Sequence, residues 1–463
     1  MFWGRRHPGL AALLGLLAAA PAHVAETNCL VRDPSTIVKR GDTYWIYGTG
    51  FGTQQFSSKD RIHWTRRGPA LPKPPDWLAA TVPANRNDVW APDVHLYHGK
   101  YYLYSAYSQW GTTNSGIGVA TSTTLAPDSW VEQGLVVHSD KGANENDIDP
   151  CVFEDAAGAM WLSYGSFSSG IKLIKLDPAT GRQATDDTHV YSISSNGEAS
   201  YVYYRDGYYY LWVNWDSCCS GSRSRYNIRM GRSRTVTGPY LDTHGKDMMQ
   251  GGGTLFLGSV VDDGTGRPPD DEVGPGHVGI LHDADGYWLS THYEWARDRQ
   301  GATTVNVQRL AWDSDGWPRA VLDPGPYKLT SFLSTHEVLT GVKGPSLLQT
   351  WPDKNANDQS WTLGYEGDGY YSLLENGSTT GAMTARDAPA KPGTKAGVAP
   401  FARRDTQMWY LQQNDDGTYT VLAKSGGKTL ALDIGDCSLV DGSGVGLWTS
   451  LGNNCQKWQL HRR

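Results

Sequence analysis

The chain has 463 residues, 39% hydrophobic, with a mild formal charge of −7 and no basic stripe, which argues against nucleic acid or anionic membranes as partners. Its 54 Gly, 19 Trp and 25 Tyr, without long Leu-rich amphipathic runs, argue against a helical fold and for an all-β protein with many turns. The length allows two or three domains, each with its own core.

In chain order, the N-terminus reads as an export signal over residues 1–25. Arg5, Arg6 and His7 precede the apolar run LAALLGLLAAA, and the small residues of APAHVA follow, with cleavage expected after Ala22 or Ala25. That run is too short to span a bilayer, and no other segment could, so a secreted, soluble protein is expected. The six cysteines are then free to form disulfides. Cys437 and Cys455 make a plausible pair. A bridge between the adjacent Cys218 and Cys219 would be strained, and Cys29 and Cys151 either pair or stay free and buried.

Next comes a repeat. Aromatic-rich strands follow Gly41, Gly99, Gly158, Gly207 and Gly286, at intervals of 58, 59, 49 and 79 residues. Each reads as the second strand of a hairpin. Five such units predict a five-bladed β-propeller over residues 26–325. Counting back from the glycines aligns Asp33, Ala91, Asp149, Glu198 and His277 on the first strand of each blade, the strand that lines the axis. A lone Asp before a Pro is usually a turn residue. Three acids and a His in one register predict an axial site, with Pro34 and Pro150 expected to hold their Asp in extended backbone.

Two carboxylates across a small gap can hydrolyse a glycosidic bond, one as general acid and the other as base or nucleophile. A third negative charge keeps the acid protonated. Acids plus a His could instead hold calcium or a transition metal, but a single His at scattered spacing makes a dedicated centre the weaker reading.

After DPGP, at 323–326, the pattern changes. Gln-x-Trp occurs at Gln359, Gln407 and Gln456, spaced 48 and 49 residues apart, which predicts a threefold β-trefoil over residues 326–463.

The motifs RDPSTI, WAPDVH, NDIDPCV, GSFSSGIKLIKLD, GEASYVYYRDGYYYLWVN, CCSG, YNIRMGRSRTVTGPY and GPGHVGI, in this order, resemble glycoside hydrolase family 43, and within it the arabinan endo-1,5-α-L-arabinosidases. The resemblance implies Asp33 as general base, Asp149 as the acid that tunes pKa and orients substrate, and Glu198 as general acid. It implies a calcium or sodium ion beside His277, held largely through water, and no organic cofactor. Inversion of configuration is implied too, which requires Asp33 and Glu198 roughly 6.5–9.5 Å apart. Trp90 is expected to line the cleft, with a place in the core as the other reading. CCSG is expected to form a vicinal disulfide near the substrate. The sequence departs from the family where Ser200 replaces a proline after the acid and Ser168 replaces an aromatic.

The C-terminal part resembles ricin-type lectin domains, also classed as carbohydrate-binding module family 13. Its third repeat supplies Asp433 and Trp448 for sugar binding, with Asp387 a candidate in the second and Gln-x-Trp assigned to the core. Plant cell-wall arabinan is the expected partner of a monomeric enzyme. The alternatives are an exo-acting arabinofuranosidase, a β-xylosidase or a galactanase on the same propeller, or an inert sugar-binding propeller.

Overall fold

The computed structural model describes residues 25–296, 303–342, 347–376, 378 and 380–463. Apart from Ala25, the expected export signal lies outside these residues.

Each blade grows from one local event. The turn glycines Gly41, Gly99, Gly158, Gly207 and Gly286 all take positive φ, from 62° to 114°, so the chain reverses where no Cβ resists it. The β-prone segments on either side then pair. Blade 1 comprises Val38–Arg40, Thr43–Gly48, Gln54–Ser58 and Trp64–Pro69. Blade 2 runs through Asp88–Tyr97, Lys100–Ser108, Ser115–Ser122 and Val131–Ser139. Blade 3 holds Cys151–Glu154, Met160–Ser166 and Gly170–Asp177, with Tyr191–Ser194 outside. Blade 4 has Glu198–Arg205, Tyr208–Trp215, Asn227–Ser233 and Thr254–Leu257. Blade 5 is Glu272–Asp283, Gly286–Ala296 and Thr304–Trp312. Ala25–Glu26 adds to that last strand, Ala25 opposite Val307, so the first described strand closes the ring onto the last blade.

The blades are stapled as well as packed. Asp93 is buried, and its carboxylate accepts from Thr36 N at 2.9 Å and Val152 N at 3.0 Å, joining blades 1, 2 and 3. The acid of WAPD therefore satisfies backbone donors that would otherwise be buried unpaired. Most strand aromatics, among them Trp212, Tyr47, Tyr104 and Tyr210, are buried between blades, where their large apolar area serves packing rather than sugar binding.

The last third is a threefold barrel whose repeats superpose bond for bond. Trp361, Trp409 and Trp458 are buried, and their indoles donate to the carbonyls of Leu339, Met383 and Leu432 at 3.1, 3.1 and 3.2 Å. Gln359, Gln407 and Gln456 each donate to a carbonyl seven residues back, Pro352, Pro400 and Thr449, and accept from Lys354, Ala402 and Leu451 N. Gln-x-Trp is thus core, as the sequence predicts. Gly325–Ser331 pairs with both Trp361–Gly367 and Trp458–Arg462, which closes the barrel.

Four cysteines are bridged, as Cys218–Cys219 and Cys437–Cys455. Cys29 and Cys151 are free and buried, which pushes both thiols up.

Candidate functional site

A left-handed residue at or just ahead of each inner strand makes the axial site, and in blades 2, 4 and 5 it sits in a bulge. Asp33, Ala91, Asp149, Ala199 and His277 have φ of 52°, 36°, 56°, 51° and 53°. Two expectations are corrected here. Asp33 and Asp149 lie in the left-handed region rather than in extended backbone, because the turn into the inner strand outweighs the preference imposed by the following proline. The residue of blade 4 in register is Ala199, not Glu198. Trp90, Glu198 and Gly276 pair with Ala106, Asn214 and His292, and the register then slips, leaving two residues of the inner strand to share one partner. Glu198 thus reaches the site from the position that Trp90 holds in blade 2. Left-handed backbone at a residue with a Cβ costs on the order of 1–2 kcal/mol each.

The structure brings Asp33, Asp149, Glu198 and His277 together. Asp33 Oδ2 accepts from Thr49 Oγ1 at 2.5 Å, and Oδ1 lies 3.3 Å from His277 Nε2. Thr49 Oγ1 also accepts from Ala91 N at 2.9 Å, locking Asp33 against blade 2. Asp149 Oδ2 accepts from Ala199 N at 3.1 Å. Burial raises Asp149 well above the usual carboxylate range, and the charges of Glu198 and Asp33 push the same way. Glu198 Oε1 accepts from the Tyr226 hydroxyl at 2.9 Å and Oε2 from Ser166 Oγ at 3.0 Å. Burial also raises Glu198. The two hydroxyls oppose this rise, while Asp33 and Glu294 add to it. Buried carboxyls that repel one another in this way do not all ionise together, and the one held protonated is poised as an acid.

The histidine count differs from the expectation of one. His292 is buried, with its ring 5.4 Å from that of His277, and its Nδ1 accepts from Asp33 N at 3.0 Å. Its proton is therefore on Nε2, a buried atom with no protein partner. Burial lowers both histidines, so both are neutral imidazoles, but only His277 can offer a ring nitrogen to a metal, because the lone pair of His292 is taken by Asp33 N. The donors at this point are the His277 ring nitrogen and the Asp33 carboxylate. They fit a hard ion only if water supplies most of its ligands.

Trp90 is half-buried at the rim, edge-on to Trp110 with centroids 5.8 Å apart. Trp110 is 74% exposed, and Phe167, next to the Ser166 that holds Glu198, is 40% exposed. Sequence reasoning missed Thr49, Ser166, Tyr226, His292 and Trp110. Ser166 and His292 belong to second strands, and for these a signal was available. The positions opposite the bulge are Ala106, Asn214 and His292, so a polar side chain at that register marks contact with the axis.

Asp433 and Trp448 lie in the trefoil and form a separate pair. Asp433 opposes Gly446, and Trp448 is two residues on, so both side chains share one face of a hairpin. Gln456 Nε2 donates to Asp433 Oδ2 at 2.9 Å. In the other repeats the same glutamine meets Thr340 and Thr384. The second-repeat counterpart of Asp433 is therefore Thr384. Asp387 lies three residues beyond, where it accepts from Thr394 Oγ1 at 2.8 Å. Trp351, opposite Val338, matches Trp448, opposite Ala431, while the second repeat has Ala399 there. Only the third repeat carries both acid and ring.

Residues 27–318 match the family described as glycosyl hydrolases family 43, and residues 405–463 match the ricin-type beta-trefoil lectin domain-like family. The chain is 39% identical over 319 residues to the extracellular endo-α-(1→5)-L-arabinanase 1 of Bacillus subtilis, covering 67% of this chain and 94% of that protein. It is 34% identical over 335 residues to an extracellular exo-α-(1→5)-L-arabinofuranosidase of Cellvibrio japonicus, covering 68% and 92%. A solved α-L-arabinanase of Cellvibrio cellulosa, complexed with arabinohexaose, is 31% identical with TM-score 0.57, over 65% of this chain and 96% of that one.

Proposed function

The chain belongs to glycosyl hydrolase family 43 and is a glycoside hydrolase, and on that premise we propose that it cleaves α-1,5-L-arabinofuranosidic bonds of arabinan, with inversion and from within the polymer. The observation that carries this reading is the unequal treatment of the axial carboxyls. Glu198 is half-buried, raised, and gripped by Tyr226 and Ser166. Asp33 is held by Thr49, the His277 ring and the backbone contact to His292.

In this reading Asp33 takes a proton from water as the water attacks the anomeric carbon, and Glu198 gives its proton to the departing oxygen. Asp149 and Glu198 oppose each other's ionisation, and Asp149, anchored on Ala199 N, orients the sugar. His277, neutral and beside Asp33, would hold a calcium or sodium ion through water, and such an ion favours ionised Asp33. Trp90 and Trp110 stack on arabinose rings along the rim. The exposed rings of Trp110 and Phe167 support a cleft open to a chain passing through, hence endo action, although the relatives include both endo and exo enzymes. Asp433 and Trp448 would hold the same polymer at the trefoil. The relatives named extracellular support export by the N-terminal signal.

The test is the product profile on linear α-1,5-arabinan, with xylan and β-1,3-galactan in parallel. A ladder of oligosaccharides shortening with time supports endo action. Arabinose or arabinobiose alone from the outset would mean exo action, and hydrolysis of another polymer only would overturn the substrate.

A further inference from the structure

Outside the proposed catalytic set lies a cluster that the hydrolysis does not use. Cys218 and Cys219 sit on the blade 4 loop after Tyr208–Trp215, and Glu294 projects from the second strand of blade 5. The two sulfurs and a Glu294 carboxylate oxygen lie within 4.8 Å of one another. Glu294 is a buried acid whose Oε2 accepts from Cys219 N, while Oε1 has no hydrogen-bond partner and only Arg32 Nη1 at 3.6 Å. The same Arg32 nitrogen lies 3.2 Å from Cys219 Sγ. Cys219 itself is exposed, with φ of 68°, which turns its amide onto the acid.

We propose that the reduced Cys218–Cys219 pair and Glu294 form a binding site for one soft divalent cation of the zinc–cadmium type, a site closed while the disulfide is intact. Reduction by a phosphine converts the bridge, with one water, to two thiols and phosphine oxide. A divalent cation then displaces two protons and binds both sulfurs.

Three features carry the proposal. Opening the bridge frees the sulfurs to separate to about 3.7 Å, the spacing of two thiolates on a tetrahedral ion with metal–sulfur bonds near 2.3 Å. The Arg32 cation beside Cys219 favours thiolate over thiol. Glu294 offers a buried oxygen, Oε1, with no hydrogen-bond partner and 3.6 Å from Arg32, whose desolvation a bound cation would offset. Exposure of Cys219 leaves the fourth position to water, so the ion would exchange.

The test uses the full chain, treated with a water-soluble phosphine, freed of it without air, and titrated with cadmium alone. Thiol alkylation followed by peptide mapping reads each cysteine separately, so Cys437 and Cys455 serve as internal comparison. Cadmium is expected to protect Cys218 and Cys219 together at one equivalent. Glu294→Gln should weaken that protection by about tenfold or more, and Cys218→Ser should abolish it at Cys219. Native circular dichroism for each variant reports folding. Protection unchanged in Glu294→Gln would remove Glu294 from the site, and no protection in the reduced parent chain would overturn the proposal.

Discussion

Replacing Tyr226 by Phe removes the phenol that donates to Glu198 Oε1 at 2.9 Å and leaves the Ser166 bond in place. A bond to an ionised carboxylate contributes about 1.5–3 kcal/mol and one to a neutral group about 0.5–1.5 kcal/mol, so the phenol favours ionisation by about 1 kcal/mol. That difference is about 0.7 pKa unit. Glu198 is already raised by burial, and losing the donor raises it further. A general acid works only while protonated, so the alkaline limb of kcat/KM should move up by about 0.7 unit in Tyr226→Phe. The assay is initial-rate hydrolysis of arabinohexaose across the acid to alkaline range. An aryl arabinofuranoside with a good leaving group, which needs no acid, serves as control and should show little change in that limb. Ser166→Ala should move the hexaose limb the same way. A limb that stays put or moves down would refute the reasoning, because Tyr226 would then not act on the group that limits the rate.

Asp149→Asn should separate stability from activity. A carboxyl raised in the fold binds its proton more tightly there than in the unfolded chain, so its contribution is present at low pH and lost as pH rises through the raised value. The variant should therefore be more stable than the parent at neutral pH, by more than about 1 kcal/mol in urea unfolding, with the gap closing in acid and hydrolysis falling sharply. Thr49→Val strips Asp33 Oδ2 and Ala91 N of their shared partner. Its kcat should fall about tenfold or more with KM little changed, as measured on arabinohexaose. Trp448→Ala should weaken binding to insoluble arabinan by roughly 5–30-fold, a change of about 1–2 kcal/mol, without slowing hydrolysis of soluble oligosaccharides. Trp351→Ala should leave pull-down on the same polymer unchanged, since Thr340 stands there in place of the acid.

The propeller was legible because five Gly turns and their aromatic strands repeat a local rule, and a repeat of local rules is what sequence displays best. The axis was legible in part. Asp33, Asp149 and His277 share the left-handed position at the head of their blades, so counting from the turns found them. Counting reached Glu198 through an alignment that slipped by one, because a bulge inserts a residue that periodicity does not announce, while the GEAS motif pointed to it directly. Thr49, Ser166, Tyr226 and His292 stayed hidden for a different reason. Their roles are set by partners on other strands, across 16, 32, 28 and 259 residues. In the trefoil, Gln-x-Trp marked the core at once, whereas Asp387 misled because an acid near the right place in a repeat is not an acid at the right register.

The central claim is hydrolysis by a water that Asp33 activates while Glu198 protonates the leaving oxygen from the opposite side. Proton NMR of the first product formed from arabinohexaose tests it most directly, since the new reducing end carries the record of the attack. The β-anomer should appear first and then mutarotate, with no such signal from Glu198→Gln. A first-formed α-anomer would mean a covalent intermediate and retention, and would contradict the assignment of Asp33 as base.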